Sequence, residues 1–147
     1  MGSPEEKLFD ALRRKSVKAL PEEKVRQALV RWLVEALGVP PRLIAVEYPL
    51  ASLNPSTRKR ADITVWKGAT QAEGGLRPWL LAECKAPSVR LNEFVADQIR
   101  GYAKDIRAEF VLVTNSSETR YFELAGNAYR EITSLPAFNE EQKKSGG

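Results

Sequence analysis

The sequence predicts an α/β domain, more narrowly an α+β arrangement in which a mixed sheet is flanked by helices. Three observations carry this. Apolar side chains recur at helical spacing before Gly38 and again after Asn92. Between and after these stretches lie short runs rich in Val, Ile, Leu and aromatic residues, bounded by Pro, Gly or Asn. The length, 147 residues, suits one hydrophobic core, with no repeat and no internal boundary.

Taken in order, Ser3-Pro4-Glu5-Glu6 reads as a helix start, with Ser3 as cap and Glu6 closing a capping box. It predicts an N-terminal helix within residues 1–20 that reaches about Lys18, with Leu8, Phe9 and Leu12 as its apolar side. Pro21 opens a stronger helix, ended after Leu37 by Gly38 and Pro40, whose inner face holds Val25, Leu29, Trp32, Leu33 and Ala36. Strands are expected over 43–50, 61–66 and 79–85, with a turn at 54–57 and a polar loop at 68–78. A helix over 92–107 should turn Phe94, Val95, Ile99, Tyr102 and Ile106 inward. Residues 110–114 read as a buried strand, and 120–124 with 129–132 as a hairpin around Gly126-Asn127. The order is α-α-β-β-β-α-β-β-β, with residues 21–138 as the domain and 139–147 as a flexible tail.

Composition narrows the chemistry. The chain has no histidine, which removes Ser-His-Asp and Cys-His catalysis and His-ligated zinc. One cysteine allows neither an internal disulfide nor a Cys-rich metal site. Hydrolysis is left to carboxylates, lysine and a hard metal ion. No apolar run is long enough for a bilayer and the start MGSPEEKLFD is polar, so a cytoplasmic setting is expected. The formal charge of +4 is compatible with a phosphate-backbone partner.

The informative segment is Asp62 followed, after twenty residues, by Glu83-Cys84-Lys85. Strand alternation sends Glu83 and Lys85 to one side and Cys84 to the other. Three apolar residues precede Glu83, so its carboxylate lies at the edge of buried sheet, where a charge needs a partner. Lys85 alone would serve. A divalent metal shared with Asp62, with the Cys84 carbonyl as a third ligand, would serve better and would activate water for phosphodiester hydrolysis. The bland alternative is a Glu/Lys pair on a solvated strand face. Gln98 falls within the arc of Leu91, Phe94, Val95, Ile99 and Tyr102; it either bonds strand backbone or reaches Lys85 or the phosphate. Glu22 shares the phase of Val25, Leu29 and Ala36, whereas Glu23 points sideways; Arg26 is a natural partner for Glu22. Its plainer role is to complement the helix dipole. Arg58, Lys59 and Arg60, before the strand of Asp62, form either a solvated turn or nucleic-acid contacts, and Tyr102, one turn after Gln98, packs with its hydroxyl at the rim as a further candidate nucleic-acid contact. Trp66 and Trp79 read as core, and Cys84 as a small buried hydrophobe.

Several segments together resemble a known family: Pro21-Glu22-Glu23-Lys24-Val25-Arg26-Gln27, Leu43-Ile44-Ala45-Val46-Glu47, Arg60-Ala61-Asp62-Ile63, Leu81-Ala82-Glu83-Cys84-Lys85-Ala86-Pro87, then Gln98 and Tyr102. They are similar to the N-terminal nuclease domain of type I restriction enzyme R subunits, a branch of the PD-(D/E)xK superfamily. The resemblance implies a restriction-endonuclease-like αβββαβ core, here with an extra N-terminal helix and C-terminal strands. It implies Mg²⁺, replaceable by Mn²⁺, held by Asp62, Glu83 and the Cys84 carbonyl, with Lys85 as catalytic lysine and Gln98 in support. One of Glu22 and Glu23 matches the first-helix acid, and phase favours Glu22. An R subunit continues into an ATP-driven motor, and this chain has no phosphate loop, so either an excised domain or, by preference, a standalone DNA endonuclease is expected. A homodimer would supply two sites for two strands, and a motor or specificity subunit is the other partner left open. An RNA nuclease and a non-catalytic DNA-binding or assembly module are the competing readings.

Overall fold

Two stretches without a polar residue, Trp79 to Ala82 and Phe110 to Val113, build the centre of the fold. Chain that is apolar on both faces belongs between two layers. The computed structural model describes residues 7–10, 15–18, 20–49, 60–68 and 75–139, with side chains over 20–49, 60–68, 75–101 and 106–139. There, β5 (Leu76–Cys84) and β6 (Phe110–Thr114) are the middle strands of a six-stranded sheet. Its other members are β3 (Ile44–Pro49), β4 (Arg60–Gly68), β7 (Thr119–Ala125) and β8 (Ala128–Ile132), and strand order follows chain order. All neighbours pair antiparallel except β5 and β6, whose parallel pairing requires a crossover. The helix α2 (Glu93–Ile106) makes it.

Alternation along β5 sorts the two cores. Leu80, Ala82 and Cys84 pack with Ile63, Val65 and Leu112 under Val25, Leu29 and Leu33 of α1 (Pro21–Glu35). Leu81 packs on the other side with Val111, Val113 and Phe122 under Ala96 and Ile99 of α2. Helix α1 begins at Pro21 and ends where Gly38 takes φ +76°, letting the Val39 N–H bond the Leu33 carbonyl at 3.0 Å. Near the start of α2, Arg120 donates to Glu131 at 2.9 and 2.6 Å, to Glu93 at 2.6 Å and to the Leu91 carbonyl at 3.2 Å. Its guanidinium lies 5.5 Å from the Phe122 ring centre, so it ties the crossover to β7 and β8. No helix among the described residues is long and apolar enough to cross a membrane.

Three expectations are corrected. The N-terminal stretch is not helical where it is described: β1 (Lys7–Asp10) and β2 (Lys15–Lys18) form a separate antiparallel pair. A helix would stack Arg14 and Lys15 against Lys18 at repulsive spacing; the hairpin sets Asp10 across from Lys15 and Leu8 across from Val17. Pro78 lies inside β5 rather than in a loop. A bulge between Val65 and Trp66 sets it opposite Trp66, a position that tolerates a residue without N–H. Phe94 faces outward, 69% exposed. The inner arc of α2 is centred on Ile99, because Ala96, fully buried, lets the helix approach the sheet closely and rolls Phe94 out. The expected turn at 54–57, most of the loop at 68–78 and the tail beyond Asn139 lie outside the described residues.

Two outcomes are expected in denaturant unfolding. Leu33→Ala, at a fully buried site, should cost about 2–5 kcal/mol, whereas Phe94→Ala should stay within about 0.5 kcal/mol. The hydrogen bonds from Arg120 hold the Glu131 carboxyl below its ordinary range. A depressed carboxyl stabilises the fold above its unfolded pKa and loses that contribution as pH falls through the folded value. Glu131→Gln should therefore lower stability slightly at neutral pH and leave it unchanged in strong acid, when melting is followed against pH.

Candidate functional site

The ladder between β4 and β5 stops at Ile63 opposite Ala82. One step further the register would set Asp62 opposite Glu83. There the strands hand over from backbone to side chain: Asp62 Oδ2 accepts the Cys84 N–H at 2.7 Å, in the place of a ladder bond. On the other side of β4, Val46 pairs with Ile63 and Tyr48 with Ala61, which brackets Glu47 against Asp62. Glu47 and Asp62 are thus brought side by side, and Glu83 follows Ala82, the last residue of β5 paired to β4. Glu47 has φ +55°, a left-handed conformation costly for a non-glycine residue and commonest where function imposes it.

Like charges placed side by side destabilise a sheet unless cations lie between them. Arg26 from α1 supplies one. Its Nη2 contacts Asp62 Oδ1 at 3.3 Å, and its Nη1 contacts Glu47 at 3.4 Å and Glu23 at 2.6 Å. Lys85 supplies another, with Nζ 3.8 Å from Glu83 Oε1 and its backbone N–H bonded to the Thr114 carbonyl at 2.8 Å. Asp62 and Glu83 keep about a fifth of their side-chain surface in solvent, 20% and 21%, and Lys85 keeps 32%. All three are accessible at one end of the sheet. Burial, and next the charge of Asp62, push the Cys84 thiol far up, so it stays protonated and acts as packing.

The first-helix acid that faces the site is Glu23, which corrects the preference for Glu22. Glu23 is buried and Glu22 exposed. Phase alone misleads here, because the i,i+3 link to Arg26 draws Glu23 inward instead. That Glu23/Arg26 spacing was the available signal. For Glu47 the sequence offers none, since it reads as an ordinary strand residue.

Other expected members are not gathered here. Gln98 lies on α2 with its side chain exposed and makes no hydrogen bond to Lys85 among the described residues. Arg60 is exposed at the start of β4 and donates to the Glu47 carbonyl at 3.4 Å. Arg58, Lys59 and the Tyr102 side chain lie outside the described residues.

No curated protein and no solved structure matches the chain. A family model does, that of the type I restriction enzyme R protein N terminus (HSDR_N), over residues 21–136. This span begins at the first residue of α1 and contains the whole six-stranded sheet. By that match the chain belongs to the type I restriction enzyme R protein N-terminus family.

Proposed function

We propose that this domain is a metal-dependent DNA endonuclease of the PD-(D/E)xK type. The single observation that carries the reading is the joint exposure of Asp62, Glu83 and Lys85 where β4 and β5 part. Family membership supports a nuclease-related module that acts with DNA and other subunits.

The donors suit a hard cation. Among the described residues no three His, Cys, Asp or Glu side chains close into a metal cage. Mg²⁺ asks for less, because it is commonly held by one or two carboxylates with water and substrate phosphate completing the shell. Asp62 and Glu83 are the carboxylates. Cys84 turns its N–H toward Asp62, and in an extended strand a residue's carbonyl points the same way as its N–H; that oxygen is the third donor. Mn²⁺ satisfies the same oxygen set.

When bound, the cation neutralises phosphate charge and acidifies a water. The chain's own residues do the rest. Lys85 Nζ, next to Glu83, orients the attacking water and stabilises charge growing on the phosphate oxygens. Attack in line breaks the bond to the 3′-oxygen, leaving a 5′-phosphate and a 3′-hydroxyl. Arg60, exposed at the near end of β4, offers the backbone a salt-sensitive contact. Gln98 would join only by reaching over from the exposed side of α2.

One observation favours a second reading. Arg26 already contacts Asp62, and Lys85 already neighbours Glu83. Both carboxylates therefore have cationic partners, as a non-catalytic binding module would need.

Cleavage of supercoiled, linear, single-stranded and branched DNA, with an RNA strand alongside, should require Mg²⁺ or Mn²⁺ and stop with EDTA. Lys85→Ala should reduce it by about 100-fold or more; unchanged cutting by that variant would defeat the nuclease reading. In thermal melting, Mg²⁺ should raise the midpoint of the wild type by ligand linkage and leave Asp62→Ala/Glu83→Ala unmoved. A wild type indifferent to Mg²⁺ would favour the binding module.

A further inference from the structure

Arg26 has no direct task in phosphodiester cleavage, yet with Glu23 it is among the buried charges at the site. Its side chain is 10% exposed, and carboxylates from three elements meet its terminal nitrogens: Glu23 of α1, Glu47 of β3 and Asp62 of β4. The contacts are unequal. Glu23 is held at 2.6 Å, while Glu47 and Asp62 stand at 3.4 and 3.3 Å. The Arg26 Nε finds no hydrogen-bond partner among the described residues. A guanidinium placed to bind Asp62 for structure alone would present its two-pronged fork to it. This one is anchored on Glu23 and touches Asp62 with one nitrogen only.

We infer that Arg26 is a positioning residue acting through Asp62: a resident counter-ion, tethered by Glu23, that competes with the divalent cation for Asp62 Oδ1. The inference rests on the metal-dependent reading of Asp62. Before a cation arrives, Arg26 offsets the repulsion between Glu47 and Asp62. Once it arrives, two positive charges on one carboxylate repel, and the guanidinium withdraws toward Glu23, the partner it already holds most closely. Arg26 thus lowers the site's affinity for the cation. Glu23 raises it, and does so only by restraining Arg26.

Mn²⁺ binding to the intact protein, read by calorimetry or by the signal of free Mn²⁺ in electron paramagnetic resonance, tests this without reference to activity. Glu23→Gln should weaken binding about threefold to tenfold, and Arg26→Lys, which keeps the charge, should stay near the wild type. The deciding variant is Glu23→Gln/Arg26→Gln, which leaves neither member of the buried pair without its counter-charge and so also covers a failure of Arg26→Gln to fold. With the competitor gone, it should bind Mn²⁺ about tenfold more tightly than the wild type. If Glu23 were a ligand, or merely nearby negative charge, the double variant would bind no tighter than the wild type, and the inference falls. Should the wild type take up no Mn²⁺ while the double variant does, the counter-ion role stands and the metal-dependent reading of the native site falls. Should neither bind, both fall.

Discussion

The hydrogen bond from the Cys84 N–H to the Asp62 carboxylate is the contact on which the candidate site depends. It lies where β4 and β5 stop pairing through backbone, and a buried strand N–H cannot be left without an acceptor. Because a side chain takes over that duty, the two strands separate without orphaning the amide. The same contact fixes one oxygen of Asp62 and leaves the other for a cation, whether guanidinium or metal. It also aims the Cys84 backbone, and with it the start of Glu83-Cys84-Lys85, at the gap.

From that constraint follows the charge pattern. Glu47 and Asp62 come side by side between paired residues of β3 and β4, and Glu83 lies one residue past the end of the β4–β5 ladder. Acids at a strand end are stable only with cations beside them, and the chain supplies them from two directions. Arg26 comes from α1, on one face of the sheet. Lys85 follows Glu83 along β5, two residues on and so on the same side of the strand. Arg26 is shared among Glu23, Glu47 and Asp62 and Lys85 neighbours Glu83, but Asp62 and Glu83 keep solvent access, which separates them from a sealed structural salt bridge. The left-handed Glu47 belongs to the same picture, as local strain borne at the edge of a charged site.

The scaffold is stiff where the site needs it. β5 is packed on both faces, with Leu80 and Leu81 fully buried on opposite sides, and β6 is buried along its whole length. The side chains carrying the chemistry therefore sit at the end of the strand with least freedom to move. The Arg120 clamp extends that rigidity to the start of α2. The outer face of α2, with Phe94 and Gln98 exposed, is left to solvent or to partners.

Much of this was legible in the sequence. Long periodic or wholly apolar stretches declared α1, β5, β6, α2 and the β7–β8 hairpin, since hydrophobic spacing reports burial wherever an element has a wet side and a dry one. Asp62 with Glu83-x-Lys85 was legible too, because a charge closing an apolar strand is rare enough to notice. The N-terminal hairpin was not: a capping box signals a helix start but cannot weigh the cationic crowding that follows it. Gln98 and Phe94 were misplaced because a helical wheel weights large residues, whereas Ala96 sets how closely the helix sits. Glu23 over Glu22 had a local signal in its i,i+3 spacing to Arg26, whereas the contact of Glu47 was decided only by tertiary structure. That contact depends on which strand residue Arg26 meets, and such a meeting is fixed by strand register and helix docking, long-range geometry that no local pattern encodes.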